Sequence, residues 1–302
     1  MCGIVGWINY DKDLSDDKQI MLNMMNTLIH RGPDESGIYC DQHVLLGHRR
    51  LIVVDPARGK QPMEFQVGDN HFILVYNGEL YNTDIVRKKL IDEGYFFKSH
   101  SDTEVLLKSY IEWGTNCVDY LNGIFAFAVW DKKNCSLFMA RDRLGVKPLF
   151  YTRRGKNIIF ASEIKALLEH PQVFPIIDDV GLMQIFGLGP ARPSNSGIFK
   201  DILELPPAHY LYITSEYTTM HEYWKLQSKP HEDNVSQTLS HIRNLFETTV
   251  KNQLIADVPV CTFLSGGLDS TVISSAASSF YKKNGKELHT YSIDYEDNKD
   301  RM

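Results

Sequence analysis

Residues 1–10 read MCGIVGWINY, a cysteine directly behind the initiator methionine, followed by a short apolar run. A cysteine at this position has two interpretations: a chance placement, or a residue that becomes N-terminal when Met1 is removed. In the second case the α-amino group of Cys2 lies close to its own sulfur. Because that amine has a pKa of about 7.7–8.0, part of it is neutral near pH 7 and can take the thiol proton. Small Gly3 leaves room for a substrate.

Short apolar runs separated by turn residues continue from this stretch and predict a strand-rich region over residues 1–210. The runs are apolar on both faces, which predicts sheets covered on both sides and therefore a layered α+β architecture with helices outside. Helical spacing of apolar residues predicts helices within 18–29 and 103–113. The runs are GIVGWIN, SGIYCD, HVLLGH, HFILVYN, IFAFAVWD, SLFMARD, PLFYT and NIIFASE.

The character of the sequence changes after residue 210. The glycine- and proline-rich stretch 187–210 predicts a long ordered loop, and polar residues without periodicity predict an interdomain linker over 211–234. Residues 235–302 then alternate helix, buried strand, helix and strand, which predicts one βαβ unit of a parallel sheet. One such unit leaves its strands uncovered, so we expect this second domain, 235–302, to be incomplete.

Composition excludes several classes of protein. The chain has 302 residues, a net charge of -6 and a pI near 6.0, without the basic surface of a nucleic-acid-binding protein. It has neither a signal peptide nor an apolar run long enough to span a membrane, which predicts a cytoplasmic protein. The five cysteines form no CxxC pair, and we expect those other than Cys2 to be buried reduced thiols.

Four further stretches carry residue types that suit a thiol enzyme acting on a small amino acid. The Asn77 side-chain amide and the Gly78 backbone N–H supply two oxyanion-hole donors. Arg50 suits a substrate carboxylate, whereas Glu79 and Asp102 suit an ammonium group. Each has a second interpretation: Arg50 as a surface cation, Asn77-Gly78 as a turn, and Asp102 as a helix N-cap. The stretches are HRGPDESG (30–37), GHRRLIVVD (47–55), YNGELYN (76–82) and SHSDTEV (99–105).

In this order the motifs resemble those of the class II glutamine amidotransferases, and RDRLGVKPLFY (141–151) and SEIKAL (162–167) resemble that family's downstream signatures. The resemblance implies the four-layer αββα N-terminal-nucleophile (Ntn) hydrolase fold over 1–210. It implies Cys2 as nucleophile, its α-amine as base, and HRGPD as a loop that shapes the pocket. The glutamine-binding residues that it implies are Arg50, Val53, Val54, Asn77, Gly78, Glu79 and Asp102, with Val53 and Val54 contributing backbone.

The stretch LSGGLDS (264–270) lies between a predicted buried strand and a predicted helix. Its glycines and the amides of the helix N-terminus suit a phosphate, although the Walker A spacing is absent. A strand-to-helix turn without a ligand is the other interpretation. The stretch resembles the PP-loop of ATP pyrophosphatases, with Thr271 where a second serine is usual. The ATP-binding residues that this resemblance implies are Leu264, Ser265, Gly266, Gly267, Asp269, Ser270 and Ile293.

A class II glutaminase followed by this loop resembles the asparagine synthetase B family. That resemblance implies glutamine, ATP with Mg²⁺, and aspartate as small-molecule ligands, with asparagine formed through β-aspartyl-AMP. It allows a homodimer and implies neither a nucleic-acid nor a membrane partner. Sugar-phosphate and phosphoribosyl amidotransferases lack SGGLDS, and β-lactam synthetases often lack the nucleophile. An amidotransferase with another acceptor, or a non-catalytic or partner-dependent fragment, remains an alternative.

Overall fold

The computed structural model describes residues 1–294, in two compact units. The first unit covers residues 1–226, and the second begins at residue 227. The last eight positions of the predicted second domain, 295–302, lie outside the described residues. Within residues 1–294 no helix combines the length and apolar composition needed to cross a bilayer.

Two antiparallel sheets, each of six strands, form the centre of residues 1–226, all of which the structure describes. In spatial order the first sheet is β10-β8-β9-β1-β3-β2 and the second is β12-β11-β7-β6-β5-β4 once the strands are numbered along the chain. The strands are β1 (Gly3–Asn9), β2 (Glu35–Cys40), β3 (Val44–Arg50), β4 (Met63–Val67), β5 (Asn70–Leu80), β6 (Gly123–Asp131), β7 (Ser136–Arg141), β8 (Phe150–Arg154), β9 (Asn157–Ala161), β10 (Ile202–Glu204), β11 (His209–Ile213) and β12 (Thr218–Glu222).

Helices cover the outer faces of the two sheets. Helix α1 packs on the first sheet through its buried methionines, and α3 packs on the second through Leu106, Leu107 and Tyr110. The predicted helices within 18–29 and 103–113 are therefore confirmed. The helices of this unit are α1 (Lys18–Asn26), α2 (Thr83–Asp92), α3 (Asp102–Trp113), α4 (Cys117–Tyr120), α5 (Ile164–Leu168) and α6 (Asp179–Leu188), and a 3-10 turn covers Gly114–Asn116.

Strand β1 shows why its sequence is apolar throughout. Successive side chains of a strand point to opposite faces, so Ile4 and Ile8 enter the core between the sheets, whereas Val5 and Trp7 pack beneath α1. All seven residues of the strand are buried. The resulting order of layers is helix, sheet, sheet, helix.

The predicted linker, 211–234, is longer than the segment without regular structure. Strands β11 and β12 extend to Glu222, and only residues 223–234 lack regular structure before the next helix. The predicted loop over 187–210 likewise contains β10 and the start of β11. The sequence pattern does not predict β12, because this edge strand is polar and is exposed at all five positions. The assignment of the segments as domains stays a prediction.

The second unit contains a parallel strand pair joined by a helix. Strands β13 (Cys261–Phe263) and β14 (His289–Tyr291) pair in parallel, and α8 (Leu268–Lys283) connects them. Helix α7 (Val235–Asn252) precedes this βαβ unit and begins with a capping box formed by Asn234 and Gln237.

The cysteines beyond Cys2 differ in exposure from the sequence prediction. Cys117 is buried and Cys135 is partly buried, but Cys40 and Cys261 are exposed, so the expectation of burial is confirmed only for Cys117 and is wrong for Cys40 and Cys261. Cys40 ends β2, the outermost strand of the first sheet, and Cys261 begins a sheet of only two strands.

Candidate active site

The thiol of Cys2 lies at the start of β1 against the loop that follows β3. The Leu51 N–H donates to Cys2 Sγ at 3.4 Å, and Sγ lies 3.6 Å from the Leu51 carbonyl oxygen. Arg31 Nε donates to the Cys2 carbonyl oxygen at 2.8 Å, which fixes the backbone. Burial raises the pKa of the Cys2 thiol, so the thiol holds its proton unless a neighbouring base removes it.

A cavity of about 100 Å³ opens beside this sulfur. At roughly 10–15 Å³ for each water molecule, a cavity of this volume has room for several water-sized groups. The structure brings all eight residues predicted for the glutaminase site together in its wall: Cys2, Arg50, Val53, Val54, Asn77, Gly78, Glu79 and Asp102. The other residues of the wall are Met1, Leu51, Gly59, Gln61, Tyr76, Thr103 and Lys147.

Asn77 and Gly78 lie in β5 rather than in a turn, so that second interpretation is wrong. The Asn77 side chain is buried, and its Nδ2 donor has no hydrogen-bond partner. An unpaired buried donor is costly, and one that borders a cavity is available to a ligand. A Cβ on Gly78 would lie 2.3 Å from the Ile124 carbonyl oxygen and 2.8 Å from Phe125 Cα. Only glycine fits at this position, where β5 pairs with β6.

Arg50 is buried rather than a surface cation, and its guanidinium already has protein partners. Nη1 donates to Glu35 Oε2 at 2.7 Å and to the Pro56 carbonyl oxygen at 3.2 Å. Nη2 donates to the carbonyl oxygens of Val54 and Asp55 at 3.0 and 2.7 Å. Three of these four hydrogen bonds hold the 54–56 loop and the fourth pairs with Glu35, an arrangement that differs from the predicted direct pairing with a substrate carboxylate.

Two carboxyl groups border the cavity on the side of β5 and α3. Asp102 Oδ2 accepts hydrogen bonds from the Tyr76 hydroxyl at 2.8 Å and the Leu80 N–H at 3.1 Å. Burial nevertheless raises the pKa of Asp102, and it also raises the pKa of Glu79. The helix N-cap is Ser101, whose side chain accepts from the Thr103 N–H, so the interpretation of Asp102 as the cap is wrong.

Sequence reasoning missed two cations beside Cys2. Arg31, in HRGPD, donates through Nη1 to Glu163 Oε1 at 2.9 Å in addition to holding the Cys2 carbonyl. Lys147, in RDRLGVKPLFY, is 5% exposed and places Nζ 3.1 Å from Met1 Sδ. Both motifs were recognised, but a sequence motif does not say which of its side chains points into a pocket.

The loop LSGGLDS connects β13 to α8 in the second unit. Gly266 has a φ of 82°, a left-handed conformation that suits glycine, and Gly267 is the N-cap of α8. The hydroxyl groups of Ser265 and Ser270 are 3.1 Å apart, and Ser270 also donates to the Gly267 carbonyl oxygen. The loop hydroxyls and the helix N-terminus thus lie together, as an anion-binding loop requires. Ile293 follows β14 and is exposed.

The chain belongs to the glutamine amidotransferase domain family, whose model matches residues 1–224, and this is the class that the paired sheets and the cysteine pocket define. A family model described as asparagine synthase matches residues 241–302. Over nearly its whole length the chain is similar to proteins named glutamine-hydrolysing asparagine synthetases.

Asparagine synthetase [glutamine-hydrolyzing] 3 of Bacillus subtilis is 53% identical over 299 residues, which are 99% of this chain and 49% of that protein. Asparagine synthetase [glutamine-hydrolyzing] 2 of Arabidopsis thaliana is 31% identical over 306 residues, 97% of this chain and 46% of that protein. The chain thus spans about half the length of these curated relatives.

Two solved structures share the fold. The glutamine phosphoribosylpyrophosphate amidotransferase of B. subtilis, complexed with ADP and GMP, has a TM-score of 0.55 at 19% identity and is matched over 96% of this chain and 65% of that one. An allosteric regulatory enzyme of purine biosynthesis has a TM-score of 0.55 at 18% identity, over 100% of this chain and 67% of that one. With the observed layers, these similarities confirm the predicted αββα fold.

Proposed function

We propose that the chain hydrolyses glutamine to glutamate and ammonia, with Cys2 as the nucleophile. The observation that supports this most directly is the buried Asn77 Nδ2 donor, which has no protein partner and borders the same cavity as the thiol. A buried donor without a partner is the group that a developing oxyanion would satisfy. Membership of the glutamine amidotransferase family supports the choice of substrate.

The proposed reaction begins with removal of Met1, which exposes the α-amine of Cys2. The neutral amine takes the thiol proton, and Sγ attacks the carbon of the substrate side-chain amide. Asn77 Nδ2 and the Gly78 N–H stabilise the oxyanion. The C–N bond then breaks, the protonated amine gives its proton to the leaving ammonia, and water hydrolyses the thioester to glutamate and the free thiol.

The remaining wall residues would hold the α-carbon end of glutamine. Glu79 and Asp102 would accept hydrogen bonds from its ammonium group, whose charge would favour their ionised forms against the effect of burial. The backbone of Val53 and Val54 lies on the loop held by Arg50, so Arg50 would act on the carboxylate through its positive charge and by holding that loop. A direct bidentate pair would require Arg50 to release loop carbonyls.

Replacing the nucleophile tests the proposal. Purified chain from which Met1 has been removed, as verified by mass spectrometry, is expected to release equal amounts of glutamate and ammonia from glutamine. Cys2→Ala is expected to abolish the release, whereas Cys135→Ala, which alters a partly exposed cysteine of the first unit, is expected to retain it. Full activity in Cys2→Ala, or in chain that keeps Met1, would exclude the mechanism.

We further propose that the ammonia serves an ATP-dependent conversion of aspartate to asparagine through β-aspartyl-AMP, as the resemblance to asparagine synthetase B implies. The names of the relatives support asparagine as the product and glutamine as the source of ammonia. The ATP-binding residues would be Leu264, Ser265, Gly266, Gly267, Asp269, Ser270 and Ile293. The loop geometry supports phosphate binding, and the asparagine synthase match over 241–302 supports the assignment. The test is aspartate-dependent release of pyrophosphate from ATP by the purified chain; its absence would exclude this half of the proposal for this chain.

Magnesium would enter this site with ATP rather than on a site built by protein alone. Among the described residues no three side chains of histidine, cysteine, aspartate or glutamate come together as a metal site, and Asp269 is the carboxylate of the loop. Mg²⁺ commonly takes one or two carboxylates together with substrate phosphates. A cytoplasmic location and a homodimer belong to the same proposal, and fractionation and sedimentation would test them.

A further inference from the structure

The segment that joins β7 to β8 is held rigidly by two buried side chains. Arg141 donates through Nε to the Lys147 carbonyl oxygen at 2.7 Å, and through Nη2 to the Gly145 carbonyl oxygen at 2.7 Å. The Asp142 carboxylate accepts from the backbone N–H groups of Val146 and Lys147, both at 2.9 Å. The path of residues 141–147 is therefore set by hydrogen bonds that do not involve the Lys147 side chain.

The same carboxylate ties this loop to the strand beside the oxyanion-hole residues. Asp142 Oδ2 also accepts from the Phe125 N–H at 3.1 Å, and Phe125 pairs directly with Gly78. Both Arg141 and Asp142 are at least 95% buried. The loop and the catalytic strand therefore form one hydrogen-bonded assembly, and a side chain at position 147 keeps a constant position relative to the cavity.

From this loop the Lys147 side chain reaches the N-terminal segment. Its Nζ lies 3.1 Å from Met1 Sδ, it lines the cavity together with Cys2, and it is 5% exposed. A lysine is seldom buried unless a specific interaction holds it there. The loop clamp needs only the backbone of residue 147, so loop structure alone does not account for a cation in the cavity.

The charges around Lys147 come from every element that borders this end of the cavity. The cations are the Met1 amine, Arg31 before β2 and Arg50 at the end of β3. The carboxylates are Glu79 of β5, Asp142 of the loop itself and Asp102 of α3. Glu79 is the carboxylate whose charge acts most strongly on the Lys147 ammonium.

We propose that Lys147 is a positioning residue of the cysteine pocket: the clamped 141–147 loop holds its buried ammonium in the wall of the cavity that Cys2 also lines, where its charge promotes deprotonation of the thiol. Any effect of Lys147 on turnover rests on the proposed glutaminase function. The effect of the Lys147 charge on the Cys2 thiol does not depend on that function.

The sign of the effect follows from charge. A nearby cation stabilises thiolate relative to thiol, and neutral amine relative to ammonium, so it lowers the pKa of both groups. Burial lowers the pKa of Lys147 and raises the pKa of the Cys2 thiol, and the Lys147 charge opposes the effect of burial at the thiol. Removing this charge is therefore expected to move thiol reactivity to higher pH.

The test measures alkylation of Cys2 by iodoacetamide as a function of pH in the full chain. The Cys2 peptide is quantified by mass spectrometry, which separates it from the other cysteines and distinguishes chains with and without Met1. Lys147→Met is expected to shift the midpoint upward by about one pH unit, the order that one partly screened charge produces. Lys147→Arg, which keeps the charge, is expected to stay close to the parent protein, and so is Lys156→Met, whose lysine is exposed.

A Lys147→Met profile that superimposes on the parent profile would overturn the inference. If Lys147→Met does not fold, Lys147→Gln removes the same charge with a polar side chain, and its profile decides.

Measurement of glutamine hydrolysis then separates the two proposals. A shift of the alkylation midpoint in Lys147→Met, together with no glutamine hydrolysis by the parent protein, would exclude the glutaminase function and support the charge effect. Glutamine hydrolysis by the parent protein, together with no shift of the alkylation midpoint in Lys147→Met, would exclude only the role of Lys147. Where both proposals hold, the acidic limb of the pH profile of kcat/KM in Lys147→Met shifts upward together with the alkylation midpoint.

Discussion

At the scale of single residues, the pocket is organised around groups that the protein leaves unsatisfied or unfavourably charged. Asn77 keeps a buried donor without a partner, and Asp102 and Glu79 are carboxyl groups whose pKa burial raises. Each arrangement costs stability in the free protein, and a ligand that supplies an acceptor or an ammonium group removes the cost. Such residues are therefore better explained by binding than by folding.

Replacing Asn77 by alanine is expected to lower kcat for glutamine hydrolysis by about 10²–10³-fold with little change in KM, because the lost donor acts mainly on the oxyanion. Steady-state assay of ammonia release measures both constants. Asn23→Ala, at an exposed position of α1, serves as the control and should leave them unchanged. A rise in KM without loss of kcat would place Asn77 in ground-state binding instead.

Two buried histidines predict how the stability of the first unit depends on pH. Burial lowers the pKa of His48 and of His170 to about 4, so both are neutral in the folded protein but can take a proton near pH 6.5 once unfolded. The contribution of the two neutral histidines to the free energy of unfolding is complete above about pH 6.5 and is lost progressively as the pH falls toward 4. Each histidine then reduces the free energy of unfolding by about 1.4 kcal/mol per pH unit.

Urea unfolding at pH 7.5 and pH 5.0 measures this dependence. All four tryptophans, Trp7, Trp113, Trp130 and Trp224, lie in residues 1–226, so their fluorescence reports on the first unit. His170→Gln removes one of the two groups and should make the loss of stability on acidification smaller. An equal or greater loss in that variant would contradict the assignment to His170.

At the scale of elements, the start of α3 decides where Asp102 lies. Ser101 caps the helix, and Glu104 in its first turn accepts from the N–H groups of Lys98 and Ser99. Glu104 also pairs with Lys108 at 2.6 Å within the helix. The segment before the helix is thus fastened to its first turn, and Asp102 enters the cavity from a fixed position.

Ser101→Ala is expected to lower the free energy of unfolding by about 1–2 kcal/mol, because the Thr103 N–H loses its acceptor in a buried place. It is also expected to raise KM for glutamine, since Asp102 directly follows the cap. Urea unfolding and steady-state kinetics measure the two effects. Ser109→Ala in the same helix is the control: its hydroxyl donates to the Val105 carbonyl oxygen, and its removal should be nearly neutral. Equal effects in both variants would argue against the cap.

At the scale of the whole molecule, the described chain consists of two compact units joined by residues 223–234, which lack regular structure. The complete αββα core and every residue of the cysteine pocket belong to the first unit. The phosphate-type loop belongs to the second. The proposed hydrolysis therefore needs only the first unit.

Limited proteolysis tests this division. Lys225 is exposed in the segment between the units, whereas Lys229 precedes Pro230 and resists trypsin. Brief digestion of the full chain is expected to cut first after Lys225 and to leave a fragment of residues 1–225 that retains glutamine hydrolysis. Mass spectrometry identifies the cut, and the ammonia assay measures the fragment. Earlier cleavage within the sheets, or loss of hydrolysis on cutting at Lys225, would contradict the division.

Much of the fold was predictable because its signals are local. The two apolar faces of β1 required layers on both sides, and the helical spacing of Met21, Met24 and Met25 marked the buried face of α1. The pocket residues were also predictable, since each lies in a short motif with a distinct chemistry. The polar edge strand β12 was not, because its pairing with β11 leaves no hydrophobic pattern.

The sequence by itself determined the layered architecture, the βαβ unit and eight of the residues around the Cys2 cavity, since alternation and motif chemistry depend on neighbouring residues. Only the tertiary structure decided that Arg50 donates to Glu35 and to the 54–56 loop and that Lys147 contacts Met1. The physical reason is distance along the chain, because Met1 and Lys147 are brought together by the pairing of strands and by the clamped loop. A local sequence pattern does not predict contacts between side chains that are so far apart in the sequence.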